Sequence, residues 1–333
     1  MFVVFSLIQY AILSKIGIYV AYLAKKIELC RKFFFEMKKY FVGIGFWGRL
    51  FVFLTLSVFL MLGAVIMGDL LAYFIFGREA ILRSDVSVLL FSQSLLSVGI
   101  FLLPPVFMVK LCCEGSLWDN IMVSRRPDVL PLVICLGAIF VSEPLVSWLE
   151  EVNLRMELPE SMSAIEDWMR ASEDNAARLL KKLTASTDVL HCVLNIIVLA
   201  VLPAVCEEMY FRVGMQTRLF ADKSRIRGYY AVVLTAILFS ALHMQFFGFL
   251  PRMVLGAVLG VMLLITGNVW YSIAAHFFNN MLAVAASFAQ ARGVEMELPA
   301  WMGTWWMALL SAVASVLLLI LLHKVEKNSK KTL

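Results

Sequence analysis

The residues best placed for chemistry begin with Cys206-Glu207-Glu208-Met209-Tyr210-Phe211-Arg212, which follows the largely apolar stretch Val193–Val205. Glu208 and Arg212 stand four apart, so on a helix they share a face and can form an ion pair. Glu207 lies about 100° further round the same helix and is free to face a cavity as a base while its neighbour is neutralised. Two more polar groups interrupt apolar runs: Phe239-Ser240-Ala241-Leu242-His243, and His276-Phe277-Phe278-Asn279-Asn280, where His276 and Asn280 also share a face. The chain has four histidines. Two fall inside apolar segments, whereas His191 and His323 sit at segment ends, where an interfacial role accounts for them.

A carboxylate beside a histidine can take a proton from water as it attacks a carbonyl, and a second histidine with an asparagine can donate hydrogen bonds to the oxyanion. Glu207, His243 and His276 would equally make a three-ligand zinc site with an open position. Both chemistries fit the residues. A serine or cysteine triad has no comparable support, Cys206 beside Glu207 being the only nucleophile candidate. Cys30, Cys112, Cys113, Cys135, Cys192 and Cys206 show no CxxC spacing, so neither a zinc ribbon nor a disulfide framework is indicated.

These groups need a membrane to hold them. Of 333 residues, 62% are hydrophobic and 16% charged, against roughly 45–50% and about 25% in soluble domains, and mean hydropathy is +0.86. That excludes an ordinary soluble enzyme. Long apolar runs rather than short alternating ones argue against a β-barrel. The expected fold is all-α, a polytopic membrane bundle with about eight crossings: Trp47–Phe76, Val86–Leu111, Val129–Leu149, Val189–Arg218, Tyr229–Phe247, Pro251–Thr266, Tyr271–Gln290 and Trp301–Leu322. Met1–Ala24 is a ninth apolar run, either an extra helix or an over-long gene start, with Met37 the next plausible start. Pro104-Pro105 should kink or end the second crossing, and Pro203 marks a kink in the fourth.

The net charge of +5 comes from small clusters between apolar runs, which is a topology signal and no nucleic-acid footprint. Lys25–Lys39 and Arg212–Arg227 are basic and belong on the cytoplasmic side, as does the tail with Lys324, Lys327, Lys330 and Lys331. The acidic stretch Glu150–Arg178 belongs outside. Within it Met162, Ile165, Met169, Ala176, Leu179, Leu180 and Leu183 recur at helical spacing, predicting an amphipathic helix on the membrane surface over 159–184. Helix rise then places Glu207 and His243 each roughly 20 Å above the basic turn, and His276 and Asn280 roughly 12–18 Å from the same side. All three groups fall in one layer.

Taken in order, Glu-Glu-x-x-x-Arg, Phe-x-x-x-His and His-x-x-x-Asn over Val189–Ala289 resemble the CPBP family, the CAAX prenyl endopeptidases and bacteriocin-processing or immunity proteins. The resemblance implies an intramembrane endopeptidase in which Glu207 and His243 activate water and His276 with Asn280 stabilises the oxyanion, while Glu208 and Arg212 shape the site. It implies a catalytic core at 189–290, after an N-terminal helix and basic segment at 1–40 and N-terminal crossings at 41–188. Residues 291–333 supply the last crossing and the basic tail. The implied partners are a membrane-associated peptide or protein substrate and the lipid bilayer, and the implied setting is a bacterial inner membrane with the C-terminus in the cytoplasm. A non-catalytic immunity, scaffold or transport protein retaining the polar cluster is the other function class that the residues allow.

Overall fold

The computed structural model describes residues 2–185, 188–221, 225–294, 299 and 301–332. Helix is the only regular structure among them, as expected where every backbone polar group must be satisfied within its own segment. In chain order the helices are α1 (Phe2–Phe41), α2 (Phe46–Leu82), α3 (Val86–Cys112), the short α4 (Leu117–Asn120) and α5 (Val129–Leu154). They continue with α6 (Ser163–Thr184), α7 (Val189–Phe220), α8 (Arg225–Leu242), α9 (Phe249–Thr266), α10 (Val269–Ala291) and α11 (Trp305–Thr332).

Among the described residues seven helices, α2, α3, α5, α7, α9 with its short lead-in, α10 and α11, are long and apolar enough to cross a bilayer. The chain is a multi-pass membrane protein. The eighth expected crossing, Tyr229–Phe247, is present as α8 but stops at Leu242, with Met244 in a left-handed backbone conformation (φ 55°). Both α8 and α9 have 18 residues, about 27 Å of helix against a hydrocarbon core of about 30 Å. This short hairpin keeps the connecting strap, residues 243–248, below the level reached by the longer helices.

The prolines do not end their helices. The second crossing runs through Pro104-Pro105 because a wider π turn, Val98–Leu102, directly precedes them. The missing proline N–H groups then fall where the hydrogen-bond register has already shifted. In α7 a π turn over Ile197–Val201 likewise precedes Leu202-Pro203, and π geometry resumes from Glu208 to Phe220. The first crossing continues past Phe76 to Leu82 across a break at Gly77 (φ 81°). The N-terminal apolar run is part of α1, whose later half rests Phe34 on Phe107 of α3.

Hydrogen bonds gather the loops at two ends. At the basic end Arg49 donates to the Arg218 carbonyl, Arg218 to the Asn120 carbonyl, and Asn268 to the Arg125 carbonyl. There Gly267 (φ 67°) turns the chain in the left-handed conformation that caps α9, and the Asn268 side chain accepts from Trp270 N to start α10. The loop residues 222–224, part of the expected basic turn, lie outside the described residues. At the opposite, acidic end α6 lies across the strap, with Trp168 against Phe246 at 5.3 Å and Arg170 over the Phe247 ring at 4.7 Å. The loops expected on each side of the membrane thus meet at a common end.

Candidate active site

The six expected site residues come from α7, the end of α8, and α10, and the structure brings them together. Glu208 and Arg212 are fully buried and paired, Arg212 Nε donating to Glu208 Oε2 at 3.0 Å. Burying both charges is tolerable only because each has a partner. The other Glu208 oxygen meets His276 Nδ1 at 3.1 Å, and the Ser272 hydroxyl also faces this carboxylate. Glu208 is therefore fully engaged. It cannot serve as a free base.

Glu207 is the opposite case. Its Oε2 lies 3.8 Å from His243 Nε2 and 3.8 Å from His276 Nε2, too far for direct hydrogen bonds. The side chains of Glu207 and His243 remain 15% and 28% exposed, against 7% for His276 and none for Glu208, so the layer has an open half and a sealed half. His243 follows the last residue of α8 rather than lying within it, and its Nδ1 donates to the Phe239 carbonyl at 2.7 Å. A carbonyl only accepts, so this bond fixes the proton on Nδ1 and leaves Nε2 as the acceptor turned towards Glu207 in the neutral ring.

Phe239 holds the layer apart and in place. Its ring lies edge-on to His243 at 4.9 Å and to His276 at 5.9 Å, and the Arg212 guanidinium stands 5.3 Å above it. Asn280 sits one turn beyond His276. The Asn279 side chain donates to Asn280 Oδ1 at 3.5 Å, which leaves the Asn280 amide N–H free to point elsewhere. His243, His276, Asn279 and Asn280 line one cavity of about 240 Å³. Ile139, Leu255, Leu259 and Phe239 form apolar walls, and Glu150, Gly248 and Arg252 stand towards the acidic end.

Arg252, Gln245 and Asn153 are site neighbours that the motifs do not mark. Arg252 donates to the Gln245 carbonyl at 3.2 Å and to its side-chain oxygen at 2.9 Å. A cation in the first turn of an apolar helix is the sequence signal that would have found it, since such a charge is costly unless partnered or facing a cavity. Cys206 is fully buried, whereas the Glu207 side chain keeps 15% exposure, so the thiol is not presented as a nucleophile.

The zinc option can be tested on the donor atoms. Bonds of about 2.0–2.1 Å in a tetrahedral site require ligand atoms roughly 3.3–3.4 Å apart, and the two separations from Glu207 are wider than that. No group of three or more His, Cys, Asp or Glu among the described residues is arranged to hold a metal ion. As placed, Glu207, His243 and His276 do not fit a zinc ion.

Residues 189–282 match the family model described as type II CAAX prenyl endopeptidase Rce1-like. The matched segment contains all three motifs and supports the CPBP/CAAX protease family that they resemble. No curated protein and no solved structure matches the chain.

Proposed function

We propose that this chain, carrying an Rce1-like segment, is an intramembrane endopeptidase that hydrolyses a peptide bond of a membrane-associated peptide or protein with water activated by Glu207 and His243. The observation carrying this reading is that Glu207 Oε2 and two histidine Nε2 atoms face one another at 3.8 Å beside a cavity. A water seated on the cavity side of this pair directs one O–H at Glu207 and the other at His243 Nε2. The water's lone pair is then aimed away from both, towards a carbonyl carbon in the cavity.

As the water oxygen bonds to the carbonyl carbon, its proton passes to Glu207. The oxyanion receives hydrogen bonds from the Asn280 amide and from His276 Nε2. His276 Nδ1 lies against the Glu208 carboxylate, which orients the ring with Nε2 towards Glu207. When the C–N bond breaks, the proton held by Glu207 goes to the leaving amine.

The basic end faces the cytoplasm in this reading, because lysine and arginine stay on that side. The host membrane is then a bacterial inner membrane, the C-terminus is cytoplasmic, and the cavity opens towards the acidic, outer side.

The test is cleavage of a membrane-peptide library by purified protein and by folded Glu207→Gln and His243→Ala variants. The reading expects cleavage by the wild type and its loss in both. Equal behaviour of all three proteins would instead favour a non-catalytic immunity, scaffold or transport role. Chelation is a separate arm: cleavage that persists in a chelator, with substoichiometric zinc on metal analysis, fits the water geometry described.

A further inference from the structure

The strap 243–248 carries two cavity-lining elements, His243 at its start and Gly248 at its end, and Gln245 between them holds Arg252. Its first half, residues 243–245, is non-helical, and its second half, Phe246–Gly248, is a single 3-10 turn leading into α9, so side-chain bonds from neighbouring helices help to fix it. Asn153, next to the last residue of α5, is 5% exposed and uses both ends of its amide on this segment. Its Nδ2 donates to the Phe246 carbonyl at 2.7 Å, and its Oδ1 accepts from Leu250 N at 2.9 Å. The second bond satisfies an N–H of the first turn of α9, which has no intrahelical partner. Ser240 Oγ donates to the Phe249 carbonyl at 2.7 Å and Ser172 Oγ to the Met244 carbonyl at 2.8 Å. Of these three clamps only Asn153 is a single buried side chain that grips the strap and the following helix together.

We propose that Asn153 is a positioning residue for the hydrolytic site: by bridging Phe246 and Leu250 it fixes the strap, and through the strap it sets His243 opposite Glu207. This inference rests on the endopeptidase reading, but it makes a structural statement that can fail separately. The residue type is demanded by the bonds. Asparagine supplies one donor and one acceptor at the same short reach, aspartate keeps only the acceptor, and leucine of similar size keeps neither. Asn153 touches no reacting atom, so its loss should slow the chemical step and leave substrate binding nearly unchanged.

The experiment uses the full chain in nanodiscs and compares wild type, Asn153→Leu, Asn153→Asp and Glu207→Gln. Asn153→Leu should lower kcat about 10²-fold, the effect of displacing a catalytic group by about 1 Å, with KM little changed. Asn153→Asp, keeping the bond to Leu250 N, should recover part of that loss. Amide hydrogen exchange over 246–250 and the rate of His243 carbethoxylation by diethyl pyrocarbonate should both rise in the two Asn153 variants. A folded Asn153→Leu protein with wild-type kcat, or a loss confined to KM, overturns the proposal, as does unchanged strap exchange. Should Asn153→Leu not fold, Asn153→Asp carries the same readouts. If wild type and Glu207→Gln both fail to cleave, the endopeptidase reading falls, while strap exchange and His243 reactivity still decide whether Asn153 positions that histidine.

Discussion

Helices α2 and α9 are both apolar membrane spans, yet they are built on opposite principles. Along α2 the large residues Phe51, Phe59, Ile66 and Phe74 all point outward, and Val52, Phe53, Gly68 and Ala72 are its only buried residues. In α9 the buried face includes Gly256 and Gly260 beside Leu259, Met262 and Leu263. A Cβ at Gly260 would stand 3.0 Å from Val232 Cγ1, and one at Gly256 would stand 3.1 Å from Phe239 Cδ1. The Gly260 carbonyl also accepts from Gln216 at 2.9 Å. Lipid is as apolar as a phenylalanine, so outward bulk specifies little, whereas small residues let backbones close around polar side chains. Of these two helices it is α9 that lines the site.

The sharpest way to break this contrast is Glu207→Gln, which removes the base and changes almost no volume. It should lower cleavage about 10²–10⁴-fold in a protein that still folds, measured by turnover of a cleaved library peptide. An equally large loss from a substitution on the outer face of α2, such as Phe59→Ala, would show that the polar layer is not what distinguishes the two regions.

Most of that layer was legible in the sequence because ionisable residues are rare inside apolar runs. Glu207, Glu208, Arg212, His243, His276 and Asn280 were all expected, and helix rise placed them at a common depth. Three features were hidden. The π turns of α3 and α7 leave no composition signal beyond the prolines that follow them, so these were expected to kink or end their helices. The early stop of α8 was masked by Met244, Phe246 and Phe247, which extend the apolar window beyond its last residue. Asn153 and Gln245 sit near span ends, where polar residues are ordinary, and only the tertiary fold shows that they converge with Arg252 on the strap.

The next largest effect falls on stability. Arg212→Ala leaves the Glu208 carboxylate buried without its cation, and removing one member of a fully buried pair costs about 3–5 kcal/mol. Reversible unfolding in mixed micelles should show a loss of that order. The double variant Arg212→Met with Glu208→Leu should regain much of it while remaining inactive. Retention of activity in the double variant would show that the sealed half of the layer is dispensable.

A smaller effect measures the backbone approach directly. Gly260→Val pushes its side chain into Val232 and Gln216 and should cost about 1–3 kcal/mol by overpacking. Phe59→Ala, on a residue 72% exposed towards lipid, should change stability by no more than about 0.5 kcal/mol. The same unfolding assay checks both. Comparable costs at the two sites would mean that outward bulk on α2 is holding the bundle after all.

The smallest expected effect lies outside the membrane, where pH can reach the structure. Glu166 on α6 accepts from Arg170 and from the Leu158 amide, and the Arg170 bond, followed by the Leu158 bond, holds its carboxyl below the usual carboxylate range. A depressed folded value means that the stabilisation is present above the ordinary glutamate value of about 4.3 and is lost as the pH falls through the folded value. At neutral pH Glu166→Gln should therefore speed Leu158 amide exchange relative to wild type. The ratio of the two rates, which cancels intrinsic pH dependence, should fall towards one only below about pH 4. At neutral pH Glu166→Gln should leave Leu250 exchange equal to that of wild type, because Asn153 on α5 accepts from that N–H. If Leu250 exchange instead speeds up with that of Leu158, α6 rather than α5 governs the strap, and the anchoring assigned to the buried span passes to the surface helix.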